Sequence, residues 1–349
     1  MTRRRVAVIM GGRSSEHPIS LASARSVIEG LDPTRFEVVS IEIARDGTWA
    51  LPSGRVPEAL VEGTVPATND PQLPVPGSSN EVAATLGEVE VVLPILHGPF
   101  GEDGRLQGLL EMADVAYVGA DHAASAICMD KDIFKAVMRD QGIPVTRNIT
   151  LRDGAAPQNP FGYPVFVKPA RLGSSVGISK VHGEEELAPA AELAFRHDEK
   201  VLVEEFVAGT EVEVGVLGNR VPPPIASLPG QIDTLEHEWY DYASKYDQGG
   251  MELIVPPPGL SPETIELLQR RAVESFVASE CEGLARIDFF VREGDGEVVL
   301  NELNTMPGFT ATSVWARLFE ASGIGYAEAL DRLIELALER HERRSKLVY

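Results

Sequence analysis

Residues 285–308 read Ala285-Arg286-Ile287-Asp288-Phe289-Phe290-Val291-Arg292-Glu293-Gly294-Asp295-Gly296-Glu297-Val298-Val299-Leu300-Asn301-Glu302-Leu303-Asn304-Thr305-Met306-Pro307-Gly308. Two runs rich in β-branched and aromatic residues flank Gly294-Asp295-Gly296, and this spacing predicts a β-hairpin. Side chains alternate faces along a strand, so Arg286 shares a face with Asp288, and Glu302 with Asn304. A hairpin symmetric about Asp295 sets Asp288 opposite Glu302 and Arg286 opposite Asn304, all four on one face. Two carboxylates directly across a ladder repel. A cation between them removes the repulsion, and an all-oxygen set of Asp, Glu and Asn suits a hard ion such as Mg²⁺. A solvated hairpin with scattered acids accounts for the same spacing.

Working outward, a chain of 349 residues has room for two or three domains, each with its own core. With 44% apolar and 24% charged residues, its composition is that of a soluble globular protein. The 31 basic and 53 acidic side chains give a net charge of −22, which argues against a nucleic-acid binder. No apolar run approaches the length of a transmembrane span. Cys128 and Cys281 lie in apolar surroundings and read as buried free thiols of a reducing cytoplasm. The stretch Val65 to Asn80, rich in Pro, Ser and Gly, reads as a surface loop.

On the N-terminal side, Val6 to Met10, a Gly11-Gly12 turn and the helical run Leu21 to Glu29 form a strand, turn and helix. Val38 to Ile43 and Val89 to Ile95 add strands, predicting a parallel α/β layer. Such sheets place ligands at the carboxyl ends of their strands, where Ser14-Ser15-Glu16-His17 and His97-Gly98-Pro99-Phe100-Gly101-Glu102-Asp103-Gly104 fall. Glu16 is a candidate to hold a substrate ammonium, or a plain helix N-terminal acid. His97 could bind substrate or hydrogen-bond its own turn. Glu102 and Asp103 are explained as caps of the helical run Arg105 to Met112.

In the middle, Lys131 starts a helix to Gln141 that Gly142-Ile143-Pro144 stops. Further on, a strand leads through Lys168 into Leu172-Gly173-Ser174-Ser175-Val176-Gly177, a loop whose backbone N–H groups can cradle an anion. The strand Lys200 to Val207 then reaches a hinge where backbone groups near Glu205 to Val207 suit an adenine, with Glu211 placed for ribose hydroxyls. Both acids are equally well read as edge-strand charges. Asp233 to Gly250 is a long, polar and aromatic segment that reads as a lid. Glu263 to Glu280 and Tyr326 to Arg343 are amphipathic helices.

Seven motifs in order then resemble the D-alanine–D-alanine ligases of the ATP-grasp superfamily. They are Gly11 to His17, His97 to Gly108, Met129-Asp130-Lys131, Lys168 to Gly177, Tyr240-Asp241-Tyr242-Ala243-Ser244-Lys245-Tyr246, Arg286-Ile287-Asp288, and Asn301 to Gly308. The resemblance implies a three-domain ATP-grasp fold, α/β (α+β) in class, with a Rossmann-like first domain over 1–119 and ATP-grasp halves over 120–207 and 208–349. It implies an enzyme that joins two D-alanines into a dipeptide, by way of an acyl phosphate, for peptidoglycan precursors. Lys131, Lys168, Ser174 and Ser175 would contact ATP phosphates, Glu204, Glu205, Phe206 and Val207 the adenine, and Glu211 the ribose. Asp288, Glu302 and Asn304 would hold two Mg²⁺ ions, with Mn²⁺ as a substitute. Glu16, Ser174 and Tyr246 would form a hydrogen-bonded triad around the first D-alanine. Lys245 and Ser313 would bind the second carboxylate, with His97 near, and Arg286 and the Gly308 N–H would stabilise the oxyanion. A cytoplasmic homodimer is implied too. Pro18 stands where many members carry an acid. The competing readings are a D-alanine–D-lactate ligase and a catalytically silent ATP-binding regulator.

Overall fold

The structure, a computed structural model, describes residues 3–50, 85–152, 155–233 and 252–348. The 234–250 part of the anticipated lid, with Lys245 and Tyr246, and the loop 56–80 lie outside the described residues.

The first sheet has the order β3-β2-β1-β4, built from β1 (Arg4–Gly11), β2 (Phe36–Ile43), β3 (Trp49–Ala50) and β4 (Val91–Pro94). β1 is parallel to β2 and β4, as its unbroken apolar run predicts for a strand covered on both faces. Helix α1 (His17–Gly30) follows it, with Pro18 in the first turn, where a missing N–H costs nothing. Leu106 and Leu110 of α2 (Arg105–Met112) cover one face of the sheet, with Ile9 and Ile41.

α3 (His122–Met129) and α4 (Lys131–Asp140) precede an antiparallel sheet of order β5-β8-β6-β7. Its strands are β5 (Asn148–Arg152), β6 (Val165–Pro169), β7 (Ser179–Val181) and β8 (Lys200–Glu205), with α5 (Glu184–Phe195) packed on one side. Phe134 and Met138 of α4 belong to the core of the next sheet instead. That sheet runs β12-β11-β9-β13-β14, with β10 paired to β9. Its members are β9 (Gly209–Gly218), β10 (Ile225–Ala226), β11 (Gly230–Asp233), β12 (Glu252–Ile254), β13 (Gly283–Arg292) and β14 (Val298–Asn304). α6 (Pro262–Ala278) begins at Ser261, whose hydroxyl accepts from the Thr264 N–H. Cys128 and Cys281, distant in sequence, come together in this core as free thiols whose sulfurs share a 3.8 Å hydrogen bond.

The β13–β14 register pairs Arg286 with Asn304 and Asp288 with Glu302, as the hairpin symmetry requires. Nearer the turn the register shifts by one, pairing Phe289 with Leu300. Asn301 is therefore the extra residue of a bulge. Without it Asp288 would face Asn301, so the bulge is what aligns the two carboxylates.

The last two helices, α7 (Val314–Ala321) and α8 (Tyr326–Ser345), return to the first sheet. Leu330, Leu333 and Ile334 of α8 share a core with Val6, Val8 and Leu93. Arg340, 3% exposed, donates to the carbonyls of Tyr117 and Gly119 and stacks 4.4 Å from the Tyr117 ring. Its removal strands two buried acceptors. Arg340→Met should cost about 2–4 kcal/mol of stability in urea denaturation; a loss under about 0.5 kcal/mol would show that the contact is dispensable.

Candidate active site

Two cavities meet where the three sheets converge. The first, about 410 Å³, is lined by Lys131, Lys168, Gly173, Ser174, Ser175, the run Glu204 to Val207, Glu211, Asp288 and Glu302. The second, about 450 Å³, is lined by Glu16, His97, Glu102, Gly173, Ser174, Arg286, Glu302, Asn304, Gly308 and Ser313. Gly173, Ser174 and Glu302 border both. Every described residue to which the family resemblance gives a role thus borders one cavity or the other.

The floor of the first cavity is built from paired charges. Asp130 caps α4 by accepting from the Ile133 N–H, and Lys200 grips both of its carboxylate oxygens at 2.8 and 2.9 Å. This fixes the first turn of α4, where Lys131 donates to the Leu172 carbonyl at 2.9 Å and lies 3.2 Å from Glu302. Lys168, at the end of β6, donates to Glu204 at 2.6 Å. The Glu204 side chain is thus a partner for ammonium groups under the floor. The Glu205 carboxylate turns to the backbone and side chain of Arg147. The Glu205 N–H is engaged with the Arg147 carbonyl, so Phe206 and Val207 carry the rest of that rim. Ser174 and Ser175 sit at φ 52° and 57°, a left-handed conformation uncommon outside glycine that curls the loop over the cavity.

The hairpin supplies the oxygen donors. Asp288 accepts from Arg286 Nε at 2.8 Å and Nη2 at 2.7 Å, and from Asn304 Nδ2 at 3.0 Å. Arg286 also lies 3.0 Å from Glu213, so its guanidinium is held on two sides at the second cavity's edge. Among the described residues no three His, Cys, Asp or Glu side chains cluster as a ready-made metal cage. The set Asp288, Glu302 and Asn304 is nonetheless all oxygen, with its two carboxylates opposed across one rung. That donor chemistry fits a hard divalent cation that brings further oxygens from a bound ligand.

Glu16 makes no cap for α1; its carboxylate reaches across the second cavity and accepts from the Ser174 hydroxyl. His97 uses both ring nitrogens, one on the Met306 carbonyl at 2.9 Å and one on Ser23 Oγ at 3.2 Å. Burial lowers its pKa, so the ring is neutral and pins the first sheet to the loop after β14. Ser313, at the start of α7, accepts from the Thr310 N–H at 3.0 Å.

The reading of Glu102 and Asp103 as a pair of caps holds for Asp103 alone, which accepts from the N–H groups of Phe100 and Arg105. Glu102 instead bridges two segments, accepting from the Gly98 N–H at 2.5 Å and the Met306 N–H at 3.1 Å. Sequence reasoning also passed over Asn301 and Lys135. Lys135 lies one helical turn after Lys131 on the same face, a spacing that could have exposed it.

Burial first, then the Glu16 charge, raises the Glu102 carboxyl to about 8. An unfolded glutamate titrates near about 4.3. The folded form therefore retains a proton that the unfolded chain has lost, and its stabilising contribution, full at low pH, disappears as pH rises through about 8. Glu102→Gln cannot ionise and should flatten the decline in urea midpoint between about pH 5 and about pH 8. An unaltered slope would locate the pH dependence elsewhere.

Comparison with known proteins bears out the family resemblance. Family models for the D-ala D-ala ligase N-terminus and C-terminus match residues 5–120 and 137–335. A D-alanine–D-alanine ligase of Kineococcus radiotolerans is 44% identical over 366 residues, covering 96% of this chain and 97% of that protein. Among solved structures, the D-alanine–D-alanine ligase of Coxiella burnetii superposes with a TM-score of 0.80 at 33% identity, covering 99% of this chain and 97% of that one. The VanG D-Ala:D-Ser ligase of Enterococcus faecalis gives 0.83 at 35% identity, covering 96% and 100%. The chain, with its ATP-grasp fold, belongs to the D-alanine–D-alanine ligase family.

Proposed function

We propose that this chain joins two D-alanine molecules into D-alanyl-D-alanine at the expense of ATP, for peptidoglycan precursors. The supporting observation is the meeting of the two cavities at Gly173, Ser174 and Glu302, which lets a triphosphate in one reach a carboxylate in the other. The nucleotide occupies the first cavity, with its phosphates toward Lys131, Lys168, Ser174 and Ser175. Its adenine lies along Glu204 to Val207, and its ribose against Glu211. Asp288, Glu302 and Asn304 hold divalent cations, two Mg²⁺ or Mn²⁺, which when bound offset the phosphate charge.

A carboxylate is a poor electrophile, so the first D-alanine is activated by taking the γ-phosphoryl group of ATP, with ADP as the leaving group, and becoming an acyl phosphate. Glu16, tied to Ser174, receives its ammonium group. The second D-alanine attacks with its amine while Ser313 and Lys245 hold its carboxylate. Arg286 and the Gly308 N–H face the developing oxyanion, a contribution of about 3–4 kcal/mol per donor in comparable sites. Phosphate then leaves. An acyl phosphate hydrolyses in water, which gives a lid spanning 233–250, with Tyr246 closing on Glu16 and Ser174, its purpose. We further assign the three domains to 1–119, 120–207 and 208–349, and a homodimer in the cytoplasm as the working state. No helix among the described residues is long and apolar enough to cross a membrane.

The test is phosphate release from ATP that requires D-alanine, with the dipeptide identified by mass spectrometry. A silent regulator would release none, and a depsipeptide or D-serine enzyme would favour D-lactate or D-serine as second substrate at neutral pH. Glu302→Gln should lower Mg²⁺-dependent turnover by orders of magnitude while the urea midpoint stays near that of the parent. Near-normal turnover would remove Glu302 from the metal set. Tyr246→Phe should change the second-substrate profile more than the KM for ATP, and an unchanged profile would count against the clamp.

A further inference from the structure

α4 carries a second lysine that borders neither cavity. Lys135 is fully buried, at 0% exposure, and donates to the Thr146 hydroxyl and to one oxygen of Glu204. The other oxygen of Glu204 accepts from Lys168 at 2.6 Å, and Glu204 is itself only 3% exposed. One carboxylate is thus enclosed between two ammonium groups, of which Lys168 alone lines the first cavity. Burial, and then the Lys168 charge, drives the Lys135 pKa well below the usual lysine range. The Glu302 charge opposes both.

A fully buried lysine is costly and rare unless it is paired. Glu204 needs only one ammonium group for neutrality, and Lys168 already provides it. Were Lys168 the sole partner, the pair would be neutral and would present little field to an anion. With Lys135 protonated in its hydrogen bond to the Glu204 carboxylate, the three groups sum to one positive charge. The neighbouring pair, Lys131 and Glu302, sums to zero. The excess among these five groups therefore comes from a side chain that never touches the cavity. In a low-dielectric interior such a charge acts over several ångströms with little screening.

We propose that Lys135 is a positioning residue that leaves Lys168 its charge, so that a side chain lining neither cavity sets the affinity of the first cavity for a polyphosphate more than for the nucleoside. This rests on the reading of that cavity as the nucleotide site. Lys135 holds the inner oxygen of Glu204, which fixes the outer oxygen and with it the Lys168 ammonium.

The experiment compares ADP and adenosine, both measured by calorimetry on the full chain in the presence of Mg²⁺. In Lys135→Gln the trio is neutral, so ADP affinity should fall about tenfold or more while adenosine stays within about twofold. Lys135→Gln combined with Glu204→Gln restores one net positive charge, and the ADP-to-adenosine affinity ratio should return toward the parent value. Where Lys135→Gln does not fold, the near-isosteric and uncharged Lys135→Met carries the test, with the same expected fall in the ADP-to-adenosine affinity ratio. An unchanged ratio, or ADP and adenosine weakening in parallel, would reduce Lys135 to a packing role and overturn the proposal. A parent chain that binds neither ligand would overturn the nucleotide reading and the proposal together, an outcome distinct from a ratio that fails to respond.

Discussion

Asp288 and Glu302 face each other across one rung of an antiparallel ladder, a placement that two like charges resist. The rest of the site follows from how this repulsion is contained. Arg286, two residues along the same strand, forks onto Asp288, while Lys131 arrives from α4 beside Glu302. The opposed pair exists only because Asn301 bulges out of the ladder; an unbroken strand would have aimed Glu302 elsewhere. All three sheets meet at this rung. The first contributes Glu16 through α1, the second contributes Lys168 and the Ser174 loop, and the third contributes the hairpin itself.

The same theme governs the chain's lysines. There are seven, at positions 131, 135, 168, 180, 200, 245 and 346. Lys131, Lys135, Lys168 and Lys200 are all buried, against the strong tendency of lysine to remain at the surface. Each is matched with a carboxylate, to Glu302, Glu204, Glu204 and Asp130 respectively. In a protein of net charge −22 four of the lysines are thus drawn inward at and beneath one cavity, while most of the described acids are left to the solvent. A surplus of acid over the whole chain is compatible with an anion site when the positive charge is gathered this way.

Much of this could be read from the residues alone. Period-two alternation around Gly294-Asp295-Gly296 places the hairpin and its opposed acids, and the unbroken apolar run Val6 to Met10 gives a parallel strand buried on both faces. Local pattern cannot say which sheet a helix covers. α8 reads from its sequence as an amphipathic helix, but nothing in it names the first sheet as its partner, some 300 residues away. Glu102 was misjudged for a similar reason. An acid before a helix is ordinarily a cap, and the backbone N–H of Met306 that claims it lies 204 positions further on. The bulge at Asn301 left no trace in composition either, because it compensates a turn one residue tighter than the symmetric one. For His97 the sequence leaves substrate binding and a hydrogen bond to its own turn open, and neither names Met306 and Ser23, the distant partners of its two nitrogens.

The return of α8 to the first sheet sets an order of events during synthesis. Val6, Val8 and Leu93 find part of their cover only in Leu330, Leu333 and Ile334. Arg4 and Arg35 likewise await Glu335 and Asp331. While the ribosome is still translating the middle of the chain, the oldest sheet has one apolar flank open to water. A nascent chain stalled before residue 326 would present that flank to its neighbours, as transiently exposed apolar surface does in large proteins that fold in stages.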